Sequence, residues 1–284
     1  MRHLILHINC PDQRGIIAQF TGILYDHGAN VLNLEQHVEP DEKLFFMRIH
    51  SNIKNMEISE DILHEILMAQ VSKMNANIQF YYPENRQRMA IFVTKESAPL
   101  YDLLIKHQSG ELPCEIPCVI SNHEDLEEIA RQFNIPFYYL PVASETKDEQ
   151  ENAVRELMAK ENIEMLVLAR YMQILSSEFV ADFHGRIINI HHGFLPAFKG
   201  NHPYRKAWER GVKMIGATAH YVTTDLDEGP IIEQDVVPVN HQHSVKEMVQ
   251  AGRDVERRVL TSAVKAHLEH RIILDGQRTI IFHS

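Results

Sequence analysis

Between Met89 and Ile190 the sequence alternates short apolar runs with longer helical stretches, and few folds accept that order. The runs at 89–93, 117–121, 137–140, 165–169 and 186–190 have the length of buried strands, while 99–106, 124–133 and 149–162 read as helices. Strands joined through helices run parallel, and the helices cover both faces of the sheet they make. A mainly parallel sheet is therefore expected. Ligands of such open sheets bind beyond the carboxyl ends of the strands. Polar clusters stand at those ends, in Ser121-Asn122-His123, Arg170-Tyr171-Met172 and Asn189-Ile190-His191.

The last cluster opens the most informative stretch, 186–234. Side chains alternate between the faces of a strand, so Asn189 and His191 point the same way. Farther on, a β-rich segment ends in Asp225-Leu226-Asp227-Glu228-Gly229-Pro230, an acidic turn. A carboxamide, an imidazole and a carboxylate delivered by strand ends are the parts of an acyl-chemistry site. No GxGxxG follows the run at 89–93, where Lys95-Glu96-Ser97 stands, and neither GxxxxGK[ST] nor HExxH occurs, so no cofactor is expected. His191, His192, His202 and Asp227 are of types that suit zinc, but the adjacent His191 and His192 are expected to face opposite ways, which weakens a metal site.

Ahead of this region the pattern differs. Residues 3–9 read as a strand, and Ile16, Phe20, Ile23 and Leu24 share one helical face that Gly28 closes. Two strand-like runs, 31–38 and 44–53, flank an acidic turn. A helix over 58–74 is expected to bury Ile62, Ile66, Leu67 and Val71, and 78–82 is a further strand before the polar linker 83–87. The order βαββαβ is the ferredoxin-like arrangement. The opening segment CPDQRGIIAQFTGILYDHGANVLNLEQHV resembles an ACT domain. That resemblance implies subunits paired into a homo-oligomer and an amino-acid effector near Asp12, Gly15, Gly28 and Asn30; glycine and methionine are the first candidates.

Charge bears on partners. With 28 basic and 39 acidic residues the net charge is −11, without long blocks of one sign, which argues against a nucleic-acid surface. No secretory signal or membrane span is evident, and three scattered cysteines do not suggest a disulfide framework, so a cytoplasmic location away from membranes is expected. Toward the end, Ser244-Val245-Lys246-Glu247 is a capping box before a long helix burying Met248, Val255, Val259, Ala263 and Val264, and a hairpin around Asp275-Gly276 follows.

INIHHGFLPAFKG at 188–200, GATAHYV at 216–222 and DLDEGPIIEQ at 225–234 resemble the core of the folate-dependent formyl transferase and hydrolase family. LVLARYMQIL at 166–175 and VISNHEDL at 119–126 are similar to the branch that hydrolyses 10-formyltetrahydrofolate, which also carries an ACT domain in front. The expected fold is thus α/β, with a ferredoxin-like ACT domain over 1–84 and a Rossmann-like formyltransferase-type domain over 85–284.

The resemblance implies a folate substrate and places the catalytic trio on Asn189, His191 and Asp227. Asn189 and protonated His191 would stabilise the oxyanion, while Asp227 would orient His191 and handle the proton of the attacking water. Tyr171, Met172, Gln173 and Leu175 would line the pterin side, with Thr223 and Asp225 completing the pocket and His220 supporting the acidic turn. Ile174 is assigned to the core. Lys199 and Arg205 are candidates for the anionic glutamate tail. Gly193 stands where the family commonly has Ser, and Asn201 where the branch often has Ala. The alternatives are a formyltransferase to an amine, such as glycinamide ribonucleotide or methionyl-tRNA, and a non-catalytic folate and amino-acid sensor. A tRNA enzyme would be expected to carry a basic domain after the core, and the glycinamide enzyme lacks the ACT module.

Overall fold

A computed structural model of the chain describes residues 2–143, 145–197 and 203–283. The chain falls into two compact units.

The first unit comprises Met1–Asn85 with Glu269–Asp275 and Ile280–Ser284. Its elements are β1 (His3–Pro11), α1 (Ile16–Asp26), β2 (Asn30–Glu39), β3 (Leu44–Asn52), α2 (Glu60–Met74) and β4 (Asn77–Tyr81), the expected βαββαβ order. They form an antiparallel sheet ordered β2-β3-β1-β4. Leu4, Leu6 and Ile8 of β1 alternate onto the face that packs with Phe20, Leu24, Leu63 and Leu67 of the helices. Gly15 and Gly28 bracket α1 with φ of 87° and 81°, a left-handed conformation that glycine reaches without steric cost. On α2 the apolar stripe runs through Leu63, Leu67, Val71 and Met74, whereas Ile62 is exposed. The sequence expectation chose the wrong neighbour: Leu63, not Ile62, is in four-residue step with Leu67 and Val71.

The second unit comprises Arg86–Leu268 and Gly276–Thr279. It contains β5 (Gln87–Val93), α3 (Ala98–Gln108), β6 (Cys114–Glu115), β7 (Val119–Ser121), α4 (Glu127–Gln132), β8 (Phe137–Tyr139), α5 (Lys147–Lys160), β9 (Met165–Leu168), α6 (Ser177–Asp182), β10 (Ile187–His191), α7 (Pro203–Arg210), β11 (Met214–Tyr221), β12 (Ile231–Pro238) and α8 (Val245–Leu268). The sheet runs β12-β11-β10-β9-β5-β7-β8, with β6 beside β5. Pairing is parallel from β10 through β8 and antiparallel from β10 to β11 and β12, so β10 is where the direction changes. The short elements β6, α6 and α7 were not anticipated. At the start of α8, Ser244 N donates to Glu247 Oε2 at 2.7 Å and Glu247 N donates to Ser244 Oγ at 3.3 Å, the reciprocal cap expected there. The five apolar side chains assigned to the buried side of α8 are all buried.

The C-terminal strands β13 (Ile272–Asp275) and β14 (Arg278–Ile281) form the expected hairpin. Their packing differs from a boundary at 84/85 with everything beyond it in one domain, because Ile273 and Phe282 form an apolar cluster with Phe46 of β3 in the first unit. Arg48 donates from Nε to the His270 carbonyl at 2.7 Å and from Nη2 to that of Glu269 at 3.1 Å. His7 Nε2 lies 2.8 Å from the same His270 carbonyl. A carbonyl only accepts, so this ring carries its proton on Nε2. Burial, outweighing that bond and reinforced by the Arg48 charge, pushes the His7 pKa down to about 4 and keeps the ring neutral at pH 7.

Cys10, Cys114 and Cys118 are buried free thiols. No helix among the described residues is long and apolar enough to cross a membrane.

Candidate active site

The turn in sheet direction puts the polar ends of β9, β10 and β11 around one cleft of about 280 Å³ in the second unit. Asn189, His191, Asp227, Tyr171, Met172, Gln173, Leu175, Thr223, Asp225 and His220, the residues assigned to trio and pocket, all line it. Strand alternation brings Asn189 and His191 to one side, and in the antiparallel register Asn189 faces His220 while His191 faces Thr218.

Asp227 sits at φ 56°, a left-handed conformation in which a short polar side chain is tolerated. Its Oδ2 lies 3.2 Å from His191 Nδ1 and its Oδ1 3.7 Å from His220 Nε2. The hydrogen bond from His191 is the main influence holding the Asp227 carboxyl well below the usual carboxylate range, against the opposing effect of burial. With Nδ1 directed at the carboxylate, the other ring nitrogen of His191, Nε2, is buried and has no partner among the described residues.

His220 lies between the acidic turn and Asn189. Its Nδ1 lies 2.9 Å from the Tyr221 carbonyl, which requires Nδ1–H; in the neutral ring Nε2 is then an acceptor. Asn189 Nδ2 lies 3.2 Å from that Nε2. His220 thereby fixes which end of the Asn189 carboxamide is NH₂. One N–H is occupied and one remains for a ligand in the cleft.

The loop after β10 is tied down by two residues that the sequence reading did not single out. Thr218 Oγ1 donates to the Gly193 carbonyl at 2.9 Å and accepts from Leu195 N at 3.0 Å and Gln234 Nε2 at 2.9 Å. Gln234 also donates to the Leu195 carbonyl at 3.1 Å. Thr218 was findable, since alternation along GATAHYV puts it on the same face as His220. On the opposite wall, Met172 N donates to Thr94 Oγ1 at 3.0 Å, and that hydroxyl lies 2.8 Å from Asn122 Oδ1. Asn122 therefore supports the wall from behind, and neither it nor His123 lines the cleft.

Two expectations need correction. Ile174 is not core: it is 64% exposed and lines the cleft, beside the half-exposed Met172, because an apolar binding wall leaves its side chains open. His191 and His192 do not face opposite ways; their rings stack with centroids 5.3 Å apart, since His192 lies past the end of β10 and strand alternation no longer applies. Arg170, read as part of a strand-end cluster, lines this cleft and a neighbouring one.

Arg205, on α7, pairs with Glu209 at 3.2 Å. Lys199, Asn201 and His202 lie outside the described residues. No group of three or more metal-ligating side chains is assembled among the described residues. In the first unit, Asp12, Gly15, Gly28 and Asn30 are all exposed. Asp12 N donates to the Lys43 carbonyl at 2.8 Å, and a Cβ on Gly28 would come within 2.7 Å of the Asn55 carbonyl oxygen.

Residues 87–264 match the family described as formyl transferase, and residues 4–67 match the ACT domain. A formyltetrahydrofolate deformylase of Synechocystis is 46% identical, over 98% of this chain and 97% of the relative. That of Bacillus subtilis is 43% identical, over 98% and 93%. The crystal structure of a formyltetrahydrofolate deformylase from Pseudomonas syringae superposes with a TM-score of 0.96 at 39% identity, covering 100% of this chain and 95% of that one. Both units, the cleft and the near full-length identity agree: the chain belongs to the formyltetrahydrofolate deformylase family.

Proposed function

We propose that this chain hydrolyses 10-formyltetrahydrofolate to formate and tetrahydrofolate, with water as the formyl acceptor and the cleft at the end of β10 as the active site. The observation that carries the reading is the meeting of Asn189, His191 and Asp227 at one cleft, with the free N–H of Asn189 and the unpartnered Nε2 of His191 in it.

Water attacks the formyl carbon, the carbonyl oxygen takes negative charge, and the carbon–N10 bond breaks once N10 receives a proton. Asn189 donates its second N–H to that oxygen, and His191 in its protonated form donates from Nε2. Removing one such donor costs roughly 2.7–4 kcal/mol of barrier. Asp227 orients His191 through Nδ1. A carboxylate held well below its usual range is a weak base on its own, so Asp227 takes the water proton only as charge develops and passes it toward N10. Tyr171, Met172, Gln173, Leu175, Thr223 and Asp225 bind the folate. The same reading gives the first unit an amino-acid effector at Asp12, Gly15, Gly28 and Asn30, and pairs subunits through that unit.

Incubation with 10-formyltetrahydrofolate should release formate and tetrahydrofolate in equal amounts without any acceptor amine. Turnover that appears only when an amine is added would assign the chain to formyl transfer.

Gly193 tests how closely the loop presses on His191. A Cβ there would lie 3.1 Å from His191 Nε2, tighter than most such contacts. Gly193→Ala should lower kcat by about tenfold, equivalent to about 1.4 kcal/mol of barrier. Gly193→Ser should retain more activity, because its hydroxyl offers Nε2 a partner. The two kcat values measured side by side check this, and equal losses would show that crowding alone matters.

A further inference from the structure

Beside the folate cleft, the second unit holds another cavity of about 560 Å³, which shares Arg170, Met172 and His192 with it. We propose that this cavity is a carboxylate site in which the Arg170 guanidinium takes the formate product. The inference rests on the hydrolytic reading for the source of the formate, but the binding site stands on its own geometry.

Arg170 follows β9 at φ 63°. A long side chain on left-handed backbone is uncommon and persists where the surroundings enforce it. Its side chain is 16% exposed, and Nε and Nη1 are fully buried without a hydrogen-bond partner. The nearest carboxylate, Glu256, has Oε2 at 3.5 Å from Nε. The other Glu256 oxygen accepts from Tyr204 Oη at 2.5 Å. Tyr204 reaches that position over Gly252, where a Cβ would lie 2.2 Å from the Tyr204 ring. Burial raises the Glu256 pKa, against the pull of Arg170, which weakens Glu256 as a counter-charge.

The other guanidinium groups around the cavity already hold carboxylates: Arg253 pairs with Glu96, itself in the cavity wall, at 2.8 Å, and Arg205 with Glu209 at 3.2 Å. Arg170 therefore supplies buried donors that a carboxylate can satisfy. A guanidinium fork matches the two oxygens of a carboxylate, whereas an ammonium would act as a point charge. The chemistry also creates a need for such a site. Formate is released beside the ionised Asp227, and like charges at short range repel. A guanidinium shared by both cavities draws the anion away from that carboxylate.

The test is a titration of ¹³C-formate into the full-length protein, followed by the formate resonance and by the arginine Nε–H signals. In the wild type the Arg170 Nε–H signal should move and saturate with the same constant as the formate line. Arg170→Gln, and the double variant Arg170→Gln/Glu256→Gln that removes both buried charges together, should weaken formate binding by about tenfold or more. An unmoved Arg170 signal, or formate affinity within about twofold of wild type in the folded double variant, would overturn the proposal. Should neither variant fold, the wild-type titration decides it. Formate bound at Arg170 in a protein that does not hydrolyse the folate would refute the reaction alone. Hydrolysis without formate contact at Arg170 would refute this site alone.

Discussion

Asp227→Asn should lower turnover of 10-formyltetrahydrofolate by roughly 10²–10⁴-fold, the range for loss of a positioned acid–base group, while leaving the fold intact. The variant keeps shape and loses charge. Asn tolerates the left-handed backbone that Asp227 adopts at φ 56°, so the turn has no reason to move; Asp227→Ala would add strain there and confuse the result. What disappears is the carboxylate that His191 Nδ1 addresses at 3.2 Å. Steady-state release of formate, with circular dichroism and a thermal melt on the same sample, separates chemistry from folding. Activity within about tenfold of wild type in a folded Asp227→Asn protein would remove Asp227 from the mechanism. Acid stability offers a second readout. A carboxyl whose folded pKa is depressed adds stability that is present above its unfolded value, about 3.9, and is lost as pH falls through the lower folded value. The Asn variant should lack that part of the acid limb.

Gly229→Ala should destabilise the second unit by roughly 1–3 kcal/mol, the usual cost of overpacking, and lower activity further than the unfolded fraction explains. A Cβ at 229 would lie 1.7 Å from the Tyr221 carbonyl oxygen and 2.9 Å from its carbon, so backbone must move. That carbonyl is the acceptor that sets the His220 tautomer, and Tyr221 N donates to the Pro230 carbonyl at 2.9 Å across the same turn. Displacing it disturbs the chain from Tyr221 through His220 to Asn189, along with the turn that carries Asp227. Denaturant unfolding and kcat measured below the melting transition check both parts. An alanine variant of wild-type stability and activity would mean that the turn yields freely.

How much of this was legible beforehand depends on how local each determinant is. Asn189 and His191 were readable as partners because strand alternation is a two-residue rule, and Asp227 stood out because an acidic turn precedes an apolar run. The buried face of α8 followed from helical spacing in the same way. Ile62 and Leu63 differ by one position on adjacent faces, and the four-residue step from Leu67 and Val71 would have selected Leu63. Ile174 was misplaced for another reason: apolar character signals burial against something, and here the cleft is what it faces. Alternation could have placed Thr218 beside His220, but the bonds by which Thr218 and Gln234 hold the loop join two other strands to it, and the unpartnered donors of Arg170 depend on backbone handedness and on a helix remote in sequence. Such relations exist only after the strands are assembled.

The return of the C-terminal strands to the first unit makes that unit discontinuous in sequence. A fragment cut at residue 85 would leave Phe46 without Ile273 and Phe282, and would deprive Arg48 of the two carbonyls it clasps. The front module therefore cannot be transplanted as a simple N-terminal cassette. An exchange that keeps the unit intact must carry the last strands along with β3, although the two lie more than two hundred residues apart in the chain.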